Sequence, residues 1–328
     1  MTRRRACGLA LLAIIGSTAV AAPVLAPNPP ARQHEGMAFA PPMWPRVVHD
    51  GAPSWPFVYP LVLVDRLERR FAEDVSRPAP IRLFSQGRVL SVEEHPWLPL
   101  GGDPLGRDVF ARLLAGGRLS LAAAGAAVLL TLLIGASAGA LAGFAGGRVD
   151  RVIVGLADFV VVLPMVYAVV TLRAAMPLVM DNVAVFWTLV GVMALATWPL
   201  PARGVRAIVA VERRKAYAEA AYALGAGPLR ILLRHVLPAA GGHMATQGLL
   251  LFPAFIFAEA TLSFLGLGFA EPVSSWGVML QDAARVSAMV EAPWLLVPAA
   301  AIVLTVLAVH LVTAGHRGTD RAAGWWRT

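Results

Sequence analysis

Lysine is almost missing from this chain: 28 residues are Lys or Arg, and Lys215, set between Arg214 and Ala216, is the one lysine among them. A phosphate loop needs Gly-Lys-Ser/Thr, so the chain is not itself a P-loop ATPase. Cysteine is as scarce. The single Cys7 excludes an internal disulfide framework and a thiolate metal cluster, and it leaves the redox compartment undecided. The seven histidines (His34, His49, His95, His235, His243, His310, His316) show no paired ligand spacing, and neither H-E-x-x-H nor C-x-x-C occurs, so no metal site is expected. Charge is short too: 15% of residues are charged against 58% hydrophobic, with a mean hydropathy of +0.66, which excludes an ordinary soluble domain. One G-x-S-x-G occurs at Gly135–Gly139, inside a long apolar run and without the strand-turn-helix setting that exposes a nucleophile. Small-residue helix packing accounts for it better, and no catalytic residue is assigned.

What the chain has in abundance is apolar sequence, and it reads as an all-α membrane protein. About six transmembrane helices are expected: Cys7–Ala26, Leu119–Ala145, Val152–Leu172, Val183–Leu200, Thr246–Phe269 and Trp294–Thr313. The net charge of +8 is spread between these runs, as the positive-inside rule produces, and no basic face with interleaved aromatics supports a nucleic-acid partner. Arg148 and Arg151 fall in one short loop. Arg203, Arg206, Arg213, Arg214, Lys215, Arg230 and Arg234 fall in another, loop 203–242. Both loops, the N-terminus and the tail 316–328 are therefore expected on the cytoplasmic side. Residues 1–26, behind the basic tip Met1–Arg5, read as an uncleaved anchor or as a signal segment with Ala19-Val20-Ala21 at its cleavage site. Either way the chain emerges outside.

Residues 27–117 turn Pro-rich and polar, an extracytoplasmic insert after the first helix that precedes the membrane domain, 118–315. Within it, Pro60–Asp74 places Leu63, Val64, Leu67 and Phe71 on one helical face, which predicts an amphipathic helix near 60–74 lying on the membrane, on a partner or over its own small domain. Ile81–Val92 alternates around Gln86-Gly87 and predicts a hairpin.

Two ionisable residues, Asp158 and Glu259, fall inside expected spans. Such residues are costly in hydrocarbon and mark aqueous paths or bundle interiors. Each also has a structural alternative: Asp158 near the inner interface pairing with an arginine, and Glu259 bracing a helix contact. Residues 203–238 form a basic, Gly-broken stretch. Val205–Ala223 is helix-forming, Gly225 and Gly227-Pro228 end it, and Leu229–Val236 begins a second helix, together a compact protrusion.

Glu219-Ala220-Ala221, then Gly225 after three intervening residues, then after nine more His235-Val236-Leu237-Pro238 resemble the E-A-A-x-x-x-G-x9-I-x-L-P loop of permease subunits of ATP-binding-cassette importers. His235 stands where Ile is usual, and Arg-His-aliphatic-Leu-Pro resembles the oligopeptide and dipeptide branch. Pro99–Val109 (PLGGDPLGRDV) is similar to that branch's P-L-G-T-D-x-x-G-R-D-V lead-in, with Gly102 in place of the usual Thr, and is followed by Arg112 and Gly117–Leu121. Glu259–Gly268 (EATLSFLGLG), Pro272, Ser275-Trp276-Gly277 and Met279-Leu280 look like its fifth-span ending and outer loop. The resemblance covers the chain from about Pro99 to Thr313 and says least about the insert.

The resemblance implies a multi-pass inner-membrane protein with an importer-type permease core, the second permease of a peptide-type, binding-protein-dependent importer. Its implied partners are a second permease in a heterodimer, two ATPase subunits that bind ATP and Mg, an extracytoplasmic solute-binding protein and membrane lipid. The chain itself would hold no cofactor and perform no covalent step. Glu219, Ala220, Ala221, Gly225, Leu237 and Pro238 would couple to the ATPase. Asp103, Gly106, Arg107, Asp108, Ser275, Trp276 and Gly277 are candidate contacts for the binding protein, or loop-packing residues. Two other readings remain, an ion-coupled secondary transporter or channel and, within the family, an importer of nickel or another small solute.

Overall fold

The computed structural model describes residues 3–49, 51–66, 68–85, 87–93, 95–163, 181–284 and 290–323, with side chains described as far as residue 314. It divides into two compact units, residues 1–121 with 260–328, and residues 122–259.

The first unit begins with α1 (Arg3–Val20) and α2 (Ala22–Leu25). Seven strands follow: β1 (Arg46–His49), β2 (Ala52–Val58), β3 (Leu61–Asp65), β4 (Arg70–Glu73), β5 (Ala79–Pro80), β6 (Arg82–Ser85) and β7 (Arg88–Ser91). Among the described residues they form three small antiparallel sheets, β1-β2-β5, β3-β4 and β6-β7. The protein is thus mostly helical rather than all-α. Ala40, Met43, Val58, Leu61, Ala79, Ile81, Trp97 and Leu98 form the buried core of this β region.

The amphipathic helix expected near 60–74 is instead the β3-β4 hairpin, with Leu61 opposite Glu73, Val62 opposite Ala72 and Leu63 opposite Phe71. The physical reason is the run Leu61-Val62-Leu63-Val64. Its alternation buries Leu61 and exposes Val62 and Val64, and β-branched side chains favour the pleated strand. The chain then reverses through a turn in which Asp65 Oδ1 accepts the Glu68 N–H at 3.1 Å and Arg69 takes a left-handed φ of 50°. Leu67 lies outside the described residues. The hairpin expected within Ile81–Val92 is present, pairing Arg82 with Ser91, Leu83 with Leu90 and Ser85 with Arg88.

The segment His34–Ala40 is strapped over the lead-in. The His34 N–H donates to Gly106 O at 3.2 Å, the Phe39 N–H to Asp103 O at 3.0 Å and the Gly102 N–H to Ala40 O at 2.8 Å. The strap explains why Gly102 stands where the resembling lead-in has Thr: a Cβ there would lie 2.4 Å from the Met37 carbonyl oxygen, and one on Gly106 would lie 2.4 Å from His34 O.

Helix α3 (Val109–Ala145) starts ten residues before the expected span. After it come α4 (Gly147–Val162), α5 (Asn182–Thr197), α6 (Pro199–Glu212), α7 (Ala216–Ala223) and the short α8 (Pro228–Ile231). A π turn (Leu232–Val236) and a 3-10 turn (Leu237–Ala240) lead into α9 (Gly241–Phe264), and α10 (Trp276–Ala283) and α11 (Val297–Ala323) close the chain. Within the second unit Gly135, Gly139 and Gly143, four residues apart on α3, let α6 approach: a Cβ on Gly139 would sit 2.4 Å from Ala202 O. That is the packing role read for the Gly135–Gly139 motif.

Among the described residues three helices are long and apolar enough to cross a membrane, Val109–Ala145, Pro228–Phe264 and Pro293–Ala314. A fourth results if α5 and α6, bent by 48°, are taken as one broken span. Of the six expected spans, Val152–Leu172 runs into residues 164–180, outside the described residues. The first is an 18-residue helix that includes Arg3, Arg4 and Arg5, and it packs along α11.

Gly102→Thr is expected to lift the strap, because both partners at the collision are backbone or Cβ atoms with no rotamer to escape into. Limited proteolysis should then cut between residues 30 and 45 at least tenfold faster than in the wild type, with a lower melting temperature.

Candidate functional site

Two constructions carry the sequence-predicted site residues. In the second unit the helical hairpin is built on an apolar core of Ala140, Val205, Val209, Ala218, Ile231, Leu232, Val236 and Ala240, flanked by Phe144, Ala221 and Leu237. The single helix expected over Val205–Ala223 is broken at Arg213–Lys215. There Lys215 is extended, with ψ of 150°, and the Glu212 carboxylate accepts from Lys215 Nζ at 2.7 Å and from the Tyr217 hydroxyl at 2.6 Å. Three consecutive cations end the helix, and one carboxylate then ties the next turn to it.

On α7, Glu219 and Ala220 are exposed while Ala221 packs towards the core. The helix ends in a Schellman turn: the Ala226 N–H donates to Ala221 O at 3.0 Å and the Gly225 N–H to Tyr222 O at 2.9 Å, with Gly225 at φ 80°. Among the described residues no atom lies within 4 Å of a Cβ built on Gly225, so the need for glycine there is conformational rather than steric. Glu219 and Tyr222 line a recess of about 290 Å³ with Phe144, Arg213, Ala218 and Ile231. Leu237 is half-buried and Pro238 exposed, just past the π turn that carries His235. Of the two candidates within expected spans, Asp158 pairs with Arg203 at 2.6 Å, both about half exposed, and Glu259 is fully buried on α9.

In the first unit the lead-in and the loop before α10 are joined by an ion cluster. Asp103 Oδ2 accepts from Arg107 Nε at 2.6 Å and from Arg112 Nη1, while its Oδ1 takes the N–H groups of Leu105 and Arg107 at 2.8 and 2.9 Å. Arg112 also reaches Asp282 at 2.8 Å and Glu271 Oε1 at 2.7 Å, and Arg107 grips both oxygens of Glu271. The side chains of Arg107, Arg112 and Asp103 are 3%, 1% and 1% exposed, against 20% for Asp282 and 40% for Glu271. Burial raises the Glu271 carboxyl, but Arg107 and Arg112 outweigh it and hold the group below the usual range. Desolvation pushes Asp282 up, with repulsion from Asp103 and Glu271 adding to it against Arg112.

All seven residues read as candidate binding-protein contacts are buried and engaged within the chain. Asp108 caps α3, accepting the Phe110 N–H at 2.9 Å, and receives Asn28 Nδ2 at 2.9 Å. Ser275 caps α10 by accepting the Val278 N–H at 3.2 Å. Trp276 is tied through its backbone N–H to Ser120 Oγ at 3.2 Å and through its indole N–H to Leu113 O at 3.1 Å. Gly277 abuts Ala260, whose carbonyl oxygen a Cβ would meet at 2.4 Å. Sequence reasoning gave no role to Arg112 and missed Asp282. The available signal was an arginine at the very start of an apolar span, which hydrocarbon does not tolerate without a partner.

Long apolar helices joined by a capped helical hairpin mark a multi-spanning membrane protein. The chain belongs to the family described as binding-protein-dependent transport system inner membrane component, whose profile matches residues 115–318. It is 35% identical over 239 residues, covering 71% of this chain and 75% of the relative, to the oligopeptide transport system permease protein OppC of Bacillus subtilis (strain 168). It is 39% identical to the glutathione transport system permease protein GsiD of Pectobacterium atrosepticum, over 66% of this chain and 70% of the relative. Identity to the dipeptide transport system permease protein DppC of Bacillus subtilis is 36%, over 66% and 65% of the two chains. A solved chain of the MetNI methionine ABC transporter in inward-facing conformations aligns at 19% identity with a TM-score of 0.48, covering 64% of this chain and 95% of that one.

Gly225→Val is expected to distort the turn and lower the melting temperature, because a β-branched residue is the least tolerant of a left-handed φ. Gly225→Asn, whose side chain tolerates that region, should cost less than half as much. Thermal unfolding of the two variants beside the wild type reads the difference.

Desolvation pushes the Asp108 carboxyl up to about 7, against the lowering pull of Asn28, the Ala111 and Phe110 N–H groups and Arg88. A raised carboxyl favours the folded state while protonated, so its contribution is full below the unfolded value near 4 and is lost as pH rises towards 7. Asp282 acts in the same direction. Melting temperature should fall between pH 5 and 8 in the wild type, and the slope should flatten in Asp108→Asn.

Proposed function

We propose that the chain is a transmembrane permease subunit of an ATP-driven, binding-protein-dependent importer for oligopeptides or dipeptides, forming half of the translocation path. The observation that carries this reading is the α7 protrusion, with Glu219 and Ala220 exposed and Gly225 in a left-handed Schellman turn, in a chain similar to oligopeptide and dipeptide permeases over two thirds of its length. A short helix held on an apolar core moves as a rigid body with α6 and α9, so a partner that seats it can displace both. Glu219 and Ala220 meet an ATPase subunit, Ala221 and Leu237 hold the protrusion to its core, and Pro238 starts the turn into α9. ATP and Mg are bound by that partner, since this chain has no Gly-Lys-Ser/Thr loop.

The termini and the α7 protrusion lie on the cytoplasmic side, with the β region outside, and a similar but distinct permease completes the path. Burial of the lead-in motif favours loop packing over direct contact for Asp103, Gly106, Arg107, Asp108, Ser275, Trp276 and Gly277: they shape the outer surface on which a solute-binding protein sits.

Energy source tests the reading. Vesicles carrying the complete transporter should take up labelled dipeptide when ATP is supplied and the proton gradient is collapsed. Uptake that persists without ATP and follows the proton gradient would identify an ion-coupled transporter instead.

A further inference from the structure

The outer ion cluster has a charge count that singles out one member. Two guanidinium groups, Arg107 and Arg112, face three carboxylates, Asp103, Asp282 and Glu271. Without Glu271 the count is two against two, and each arginine keeps a partner: Arg107 retains Asp103 at 2.6 Å, and Arg112 retains Asp103 and Asp282, the latter at 2.8 Å. Breaking a buried pair is costly because a charge is left uncompensated. Withdrawal of Glu271 leaves none.

Its position matches that arithmetic. Asp103 is locked by the Leu105 and Arg107 N–H groups, and Asp282 belongs to α10. Glu271 lies in the connection between α9 and α10 and has the most exposed side chain of the cluster, at 40%. It receives three N–H donors, Nη1 and Nη2 of Arg107 and Nη2 of Arg112. That is the planar, forked arrangement by which guanidinium groups select carboxylates.

We propose that Arg107 and Arg112 form a carboxylate-binding site on the outer end of this unit, filled by Glu271 in the present conformation and exchanged for an incoming carboxylate when the loop carrying Glu271 swings away. Exchange conserves the charge and gives the three N–H donors that Glu271 vacates a new acceptor, so the loop is released without leaving them unsatisfied. With the permease reading above, on which this part rests, the carboxylate has two sources: an acidic side chain of the solute-binding protein or the free C-terminus of a peptide substrate.

The complete transporter in lipid nanodiscs supports both tests. Glu271→Ala should lower the melting temperature, and sodium acetate should restore it saturably, whereas sodium chloride at equal ionic strength should not. Equal recovery in both salts, or none in acetate, overturns the site.

Exchange is read with Glu271 intact, from an environment-sensitive fluorophore on Ala270→Cys in a Cys7→Ser background, which also serves if Glu271→Ala does not fold. A shift on adding dialanine but not dialaninamide assigns the carboxylate to the substrate. A shift on adding substrate-free binding protein assigns it to that protein, and no shift with either overturns the exchange. Uptake measured on the same preparation separates the two failures. Absent ATP-driven uptake sinks the permease reading while the acetate result stands, and normal uptake with no fluorophore shift sinks the exchange alone.

Discussion

Two guanidinium groups with almost no access to solvent impose the strongest constraint on this molecule. A buried, unmatched cation costs several kcal/mol even after relaxation, so the chain that buries Arg107 and Arg112 must deliver carboxylates to them. It does so from the lead-in itself, from a loop more than 150 residues later and from α10. The geometry of Asp103 in turn requires the tight lead-in turn, closed by the Gly106 N–H on Asp103 O at 2.9 Å. Chain entry into α3 and the course of the α9-to-α10 loop both serve one pair of charges, and the strap His34–Ala40 lies on the lead-in turn that this arrangement requires.

The helical hairpin of the other unit is held differently. Its core is apolar, and its ion pairs are open to solvent to different degrees, Arg203–Asp158 at 49% and 59%, Arg206–Asp150 at 41% and 21% and Lys215–Glu212 at 51% and 15%; solvent-exposed pairs are worth about 0–1 kcal/mol each. Packing and the Gly225 turn carry the stability there, so the one charge of α7, the exposed Glu219, is not committed to the fold. Tyr222 and Leu224 stand 73% and 88% exposed beside Gly225. Large apolar side chains left so open next to a rigid turn have the character of a surface that something else covers.

Much of this was legible in the sequence, and what was not follows from what sequence patterns encode. Three of the apolar runs, the Gly225 stop and the hairpin within Ile81–Val92 are local, and those signals survive into the structure. Pro60–Asp74 failed because Leu63, Val64 and Phe71 satisfy a helical face while Leu61–Val64 also satisfies a two-residue period, and the core holding Leu61 decided for the strand. The ion cluster was invisible as a unit. Arg112 and Asp282 are 170 residues apart, and charge pairing over that separation leaves no periodicity. By the resemblance of their motifs the seven lead-in and loop residues are candidate contacts or loop-packing residues, two readings that motif spacing does not separate, whereas all seven are buried and engaged within the chain.

A buried motif reports how a loop is built rather than what the loop touches, and the one departure within this lead-in shows the difference. At position 102 a side chain of any size and the Met37 carbonyl exclude each other, while the neighbouring Asp103 and Arg107 are fixed by ion pairs that do not involve the strap. The identity of residue 102 therefore follows the segment lying on it, and the charged residues follow the cluster. A chain carrying a β region strapped across its lead-in can keep every charge of the motif and must still place glycine at 102. Glycine at 102 thus records in one residue that the segment His34–Ala40 is packed on the lead-in rather than merely tethered to α1.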